Sequence, residues 1–134
     1  MSIRYLLAIA ALLNLAIFAA PVHAQTPLPA SIANWDPDKD GTLDIAEVTK
    51  AASDKFDALD TDHEGTLDAK ELAHRVGKKT LMAADPDKDG TLSKDEYLAL
   101  VEKRFKAADP DGDGTLNAEE LKSPAGKSLL LLLR

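Results

Sequence analysis

Four segments of this chain carry oxygen-bearing side chains at one repeated spacing. Residues 36–47 read Asp-Pro-Asp-Lys-Asp-Gly-Thr-Leu-Asp-Ile-Ala-Glu. Residues 60–71 read Asp-Thr-Asp-His-Glu-Gly-Thr-Leu-Asp-Ala-Lys-Glu, and residues 85–96 read Asp-Pro-Asp-Lys-Asp-Gly-Thr-Leu-Ser-Lys-Asp-Glu. Residues 109–120 read Asp-Pro-Asp-Gly-Asp-Gly-Thr-Leu-Asn-Ala-Glu-Glu. The chemistry open to such segments is the coordination of a hard cation, which gathers about six to eight oxygens around itself. Acidic short side chains at alternate positions of a tight loop supply them, and a longer Glu at the end reaches back.

Each segment fits the twelve-residue EF-hand loop, with ligands at positions 1, 3, 5, 7, 9 and 12 and Gly at 6. Loop 1 offers Asp36, Asp38, Asp40, Thr42, Asp44 and Glu47, and loop 2 offers Asp60, Asp62, Glu64, Thr66, Asp68 and Glu71. Loop 3 offers Asp85, Asp87, Asp89, Thr91, Ser93 and Glu96, and loop 4 offers Asp109, Asp111, Asp113, Thr115, Asn117 and Glu120. The Thr at position 7 contributes its backbone carbonyl, and the terminal Glu is expected to bind through both oxygens. One match is a moderate signal, whereas four in phase leave coincidence negligible. Positions 9 and 12 also form capping boxes, such as Asp44 with Glu47, so position 9 serves both the loop and the helix that leaves it.

Of the 23 acidic residues, 18 stand at ligand positions: five each in loops 1 and 2, four each in loops 3 and 4. Without a cation these clusters repel themselves. Loop 2 departs from the pattern with Thr61 in place of Pro and Glu64 in place of Asp at position 5. It is therefore expected to be the weakest or most distorted site. His63 falls at the outward position 4 and is read as solvated.

The elements that hold the loops follow from the gaps between them. Loop starts lie 24, 25 and 24 residues apart, leaving 12, 13 and 12 residues in between. Twelve residues make about 18 Å of helix, just over three turns. Two helices and a linker fit that length poorly, so one helix is expected to leave one loop and enter the next. Ile32 and Trp35, Phe56 and Leu59, Leu81 and Ala84, and Phe105 and Ala108 precede the four loops at matching positions. Val48, Leu72, Tyr97 and Leu121 follow them, placing apolar groups on one helical stripe. Ser123-Pro124 reads as an N-cap and first helical residue, opening a last helix that carries Leu129 to Leu133. The position-8 residues Leu43, Leu67, Leu92 and Leu116 are extended and free to pair between loops. The expected fold is all-α: four EF-hand loops linked by single shared helices, in a small three-helix bundle with peripheral metal sites.

Residues 1–24 are of different material. Arg4, an apolar run from Tyr5 to Ala20 and the small-residue pattern Val22-His23-Ala24 make a signal peptide. Residues 25–34 are read as an N-terminal linker and 35–134 as the four-EF-hand metal-binding domain. The expected location is the bacterial periplasm, with no membrane attachment after cleavage.

The chain has 134 residues and a formal charge of −7, which becomes −8 once Arg4 is removed. An acidic chain lacks the Lys and Arg excess that phosphate contacts need, so nucleic acid is excluded as a partner. The absence of Cys excludes disulfides and thiolate metal sites. No nucleophile–base set stands outside the loops, so the chain is not read as an enzyme. It is expected to act as a monomer, with the five-leucine ending packed onto the core and a dimer patch there as the alternative. Nothing in the sequence names a protein that would receive the metal.

The chain resembles the lanmodulin family, periplasmic lanthanide-binding EF-hand proteins of methylotrophic bacteria. The resemblance spans the signal peptide, the loops, the short gaps and the ending Ser123-Pro124-Ala125-Gly126…Leu133-Arg134. Its most specific mark is Pro at loop position 2, as in Pro37, Pro86 and Pro110. It implies up to four lanthanide(III) ions, with Ca(II) as a weaker competitor, and folding on binding. It also implies a role in lanthanide uptake linked to methanol oxidation. Ser93 and Asn117 depart from the family's usual Asp at position 9. Physical reasoning agrees: the extra charge of a trivalent ion strengthens its attraction to every carboxylate. A calcium sensor or buffer, and a dockerin-like interaction module, remain the alternatives from the residues alone.

Overall fold

The computed structural model describes residues 26–134; the expected leader, residues 1–24, lies outside the described residues. A single turn of 3-10 helix, Ala33–Trp35, leads into loop 1. The helices then start from the loops themselves. Asp44 accepts the Glu47 amide and Glu47 accepts the Asp44 amide, and this capping box opens α1, Ile45–Leu59. Ser93 and Glu96 do the same for α3, Lys94–Ala108. Asn117 and Glu120 open the short α4, Ala118–Lys122. Ser123 caps α5, Pro124–Leu133, with Pro124 in the first turn, where its missing N–H is harmless.

At their far ends, α1 and α3 run straight into the next loop. The Asp60 amide closes α1 on the Phe56 carbonyl at 2.9 Å, and the Asp109 amide closes α3 on the Phe105 carbonyl at 3.0 Å. Each 15-residue helix, about 22 Å long, is thus exit helix for one loop and entering helix for the next.

The gap between loops 2 and 3 behaves differently. Asp68 and Glu71 form the same reciprocal hydrogen bonds, but the chain makes only a turn before His74, which adopts φ +62°. The one helix in this gap, α2, covers only Lys78–Ala84, starting after the extended Gly77. The single shared helix expected for this gap is therefore not formed: loop 2 leaves by a turn, and α2 serves only as the entering helix of loop 3. A left-handed residue cannot continue a helix, and Gly77, the glycine in the gap, opens the next one without a side-chain cap.

Two antiparallel ribbons of two residues per strand tie the loops in pairs. Strand β1, Leu43–Asp44, pairs with β4, Thr115–Leu116, so Leu43 faces Leu116. Strand β2, Thr66–Leu67, pairs with β3, Leu92–Ser93, so Leu67 faces Leu92. Loop 1 thus couples to loop 4 and loop 2 to loop 3, and all four leucines are fully buried.

Helices α1, α3 and α5 pack on one another as the expected three-helix bundle, with α4 against α5 and α2 against α3. Val48, Phe56, Leu72, Leu81, Tyr97, Phe105 and Leu121 are in its core, with Trp35, Leu59 and Ala84 packed against it. Phe56 meets Tyr97 edge to face at 5.7 Å, and the Tyr97 hydroxyl donates to the Leu132 carbonyl. Four of the last leucines, Leu129, Leu130, Leu132 and Leu133, are buried, and only Leu131 faces out. Ile32, inside the stretch read as a linker, is itself buried in the core. Among the described residues no helix is long and apolar enough to cross a membrane.

Candidate metal centres

Each loop is folded around its first carboxylate. Asp36 Oδ1 accepts the Asp40 amide at 3.2 Å and its Oδ2 accepts the Gly41 amide at 3.1 Å. Asp60 does the same with the Glu64 and Gly65 amides. Asp85 uses the Lys88 and Gly90 amides, and Asp109 the Gly112 and Gly114 amides. These bonds curl the chain and require the left-handed turn at position 6. Gly41, Gly65, Gly90 and Gly114 take φ of 85°, 84°, 89° and 86°, a region that a Cβ disfavours.

The curl brings carboxylates together. Asp36, Asp38 and Asp40 offer oxygens within 4.8 Å of one another, as do Asp60, Asp62 and Glu71. So do Asp85, Asp87 and Glu96, and Asp109, Asp111 and Glu120. Three first-position residues, Asp36, Asp60 and Asp85, are buried. Glu64, Asp89, Asp113 and Glu47 stand outside these tightest groups. The position-7 hydroxyls of Thr42, Thr66, Thr91 and Thr115 donate to the position-5 carboxylates of Asp40, Glu64, Asp89 and Asp113. The position-9 side chains of Asp44, Asp68, Ser93 and Asn117 accept the position-12 amides as helix caps.

Loop 2 keeps the common backbone: His63 and Gly65 lie at φ 60° and 84°, against 59° and 85° for Lys39 and Gly41. Its distinction is in the side-chain bonds, because Asp40, Asp89 and Asp113 also accept the Thr amide two residues on, and Glu64 accepts only the hydroxyl. His63 is exposed, as its outward position implies.

The electrostatics reflect crowded like charges. Burial pushes the Glu47 carboxyl up against the lowering effect of the Asp44 amide, and Asp44, Asp38 and Asp36 push the same way. Burial likewise raises Glu120, opposed by the Asn117 amide and helped by Asp111, Asp113 and Asp109. The Asp40 amide favours the Asp38 carboxylate, yet desolvation and the neighbouring Asp36 and Asp40 leave it raised. Asp87 is raised first through its hydrogen bond with Asp85. Glu47 Oε1 is buried without a hydrogen-bond partner, a costly state for a carboxylate oxygen unless a cation joins it. Four ends of helix, at Asp36, Asp60, Asp85 and Asp109, carry a carboxylate at the negative pole of the backbone dipoles, which favours a cation there. The donor set is all oxygen and suits a hard ion.

An acidic loop of this geometry, repeated with capping-box exits and paired through its eighth residue, defines an EF hand. The EF-hand family model matches residues 54–76, 78–101 and 100–123, about half of the chain, and the chain belongs to that family. Loop 1 lies outside the matched residues and repeats their geometry. Among curated proteins, the chain is similar to lanmodulin of Methylorubrum extorquens (strain AM1), 55% identical over 70 residues. The match covers 51% of this chain and 53% of that protein, so the chain spans about half the length of the curated relative it matches.

Proposed function

We propose that this chain selectively binds trivalent lanthanide ions, one in each of its four loops, and folds as it does so. The observation that carries this reading is the set of four carboxylate groups, one in each loop, with oxygens drawn within 4.8 Å of one another. The ligands would be the carboxylates of positions 1, 3 and 5, the carbonyl of position 7, position 9 directly or through water, and the position-12 Glu. An added unit of ionic charge acts on all these carboxylates at once, which favours a trivalent ion over Ca²⁺ of similar size. Both the lanmodulin resemblance of the whole chain and the measured similarity over half of it support the same assignment.

The function is binding rather than catalysis. The signal peptide would deliver the chain to the periplasm, where the lanmodulin resemblance implies a place in lanthanide uptake serving methanol oxidation. Metal would relieve the repulsion among 18 ligand-position acids and so release the folding of a modest core.

Circular dichroism of the metal-free mature chain tests this. Micromolar La³⁺ should produce a large rise in helicity, with Ca²⁺ needing much higher concentration. A metal-free chain already fully helical and unmoved by La³⁺ would defeat the folding half. Equal response to Ca²⁺ would make the chain a calcium sensor or buffer instead.

A further inference from the structure

The position-12 glutamates are not held alike. Glu47 and Glu120 each accept one amide on Oε2, from Asp44 and Asn117, both at 2.9 Å. Glu96 Oε2 accepts the Ser93 amide at 2.7 Å and the Ser93 hydroxyl at 2.8 Å. In these three loops Oε1 accepts no hydrogen bond among the described residues, and in loop 1 it is buried. Glu71 also gives Oε2 to an amide, that of Asp68 at 3.1 Å. Its Oε1, however, accepts two further bonds, from the Thr61 amide at 2.9 Å and the Thr61 hydroxyl at 3.1 Å.

The cause is the residue at position 2. Pro37, Pro86 and Pro110 have neither an amide hydrogen nor a hydroxyl, so they leave the glutamate oxygen unclaimed. Thr61 has both donors. A carboxylate oxygen has about two acceptor sites, and Thr61 occupies both on Oε1. Chelation through two oxygens must displace the bonds already made, and of about four acceptor sites on each carboxylate three are filled on Glu71, two on Glu96 and one each on Glu47 and Glu120.

We infer that Thr61 is a specificity-determining residue: it clasps Glu71 Oε1, so loop 2 takes an ion only by exchanging the Thr61 hydrogen bonds for the metal. Loop 2 is thereby set to fill after the other three. This rests on the reading that the loops bind cations, and not on which cation they prefer. The backbone leading into position 2 is shared by all loops, with ψ of 80°, 81°, 88° and 83° at Asp36, Asp60, Asp85 and Asp109. The approach to position 61 therefore matches the approach to the three prolines.

Each loop carries its own reporter, the position-6 glycine amide that donates to the first Asp. Two-dimensional NMR of the ¹⁵N-labelled mature chain can follow Gly41, Gly65, Gly90 and Gly114 through a La³⁺ titration. In the native chain the Gly65 signal should reach its ion-bound position last. Thr61→Pro removes both donors and should tighten loop 2 by about tenfold, since bonds to a charged group are among the stronger ones. Thr61→Val removes only the hydroxyl and keeps the fold, and should give a smaller gain in the same direction. A Gly65 signal that moves with the others in the native chain overturns the clasp. So does a folded Thr61→Val chain in which loop 2 is unchanged or weaker. The same titration with Ca²⁺ keeps the two conclusions apart: if Ca²⁺ is the preferred ion, lanthanide selectivity fails while the order of filling still tests Thr61.

Discussion

Gly126 is the place where a single methyl group should do most damage. It lies in the first half of α5, where that helix crosses the end of α4. A Cβ at this position would stand 2.2 Å from the Glu120 carbonyl oxygen and 2.6 Å from Leu121 Cα. Ordinary carbon–oxygen contacts begin at about 3.3 Å, so α5 would have to withdraw by about 1 Å. Backbone lies on the other side, and no flexible side chain can yield. The displaced helix carries Leu129, Leu130, Leu132 and Leu133, all buried. Helix propensity alone would make Gly126→Ala stabilising by about 1 kcal/mol. Forced overpacking costs roughly 1–3 kcal/mol, and here it loosens several leucines together. The net expectation is a loss of about 1–2 kcal/mol, or a fall of about 5–10 °C in melting temperature for a domain of this size. Thermal melting of the ion-loaded mature chain, followed by circular dichroism, reads it directly. Gly77→Ala is the control, because a Cβ there meets nothing within 4 Å. If Gly126→Ala melts at or above the native temperature, the close crossing of α4 and α5 has been misjudged.

Two further outcomes follow from the pairing and the core. Asp109→Asn with Asp111→Asn should weaken ion binding in loop 1 more than in loops 2 and 3, because β1 pairs with β4; equal effects on the Gly41, Gly65 and Gly90 amides would contradict that coupling. Burial pushes the Tyr97 phenol up to about 12, against the opposing fields of Arg75 and Arg104. The folded chain thus disfavours the phenolate: this group leaves stability unchanged below the ordinary value near 10 and reduces it between pH 10 and 12. Phenolate absorbance in a chain kept folded by millimolar Ca²⁺ should rise near 12, and in denaturant near 10; a single midpoint near 10 in both would place Tyr97 in solvent.

Much of this arrangement was legible in the sequence because it is local. Ligand spacing, the Gly at position 6 and the capping boxes all act within a dozen residues. The stripe from Phe56 through Tyr97 to Phe105 read correctly as core for the same reason. Ile32 was legible as part of that stripe, yet the boundary drawn at residue 35 left it in a linker. Pairing of loop 1 with loop 4 was not legible, since the Thr-Leu pair at positions 7 and 8 is the same in all four loops and offers no choice of partner until the helices fix their positions. The break after loop 2 was only hinted at by Gly77; the left-handed His74 carries no comparable signal. The Thr61 clasp was hidden too. The missing Pro was visible, but its consequence depends on the loop curling until residue 61 reaches residue 71, ten positions away.

The central claim, preference for a trivalent ion, is tested most directly through the one Trp. Trp35 is half-buried in the 3-10 turn immediately before Asp36. Its ring should lie within about 10 Å of an ion in loop 1, two or three residues' reach, close enough to pass excitation energy to Tb³⁺. Excitation at the indole band should therefore give Tb³⁺ luminescence, and Trp35→Phe should largely abolish the loop 1 signal. A large excess of Ca²⁺ should leave that luminescence in place. Loss of the signal on adding Ca²⁺ at a concentration comparable to that of Tb³⁺ would contradict the account.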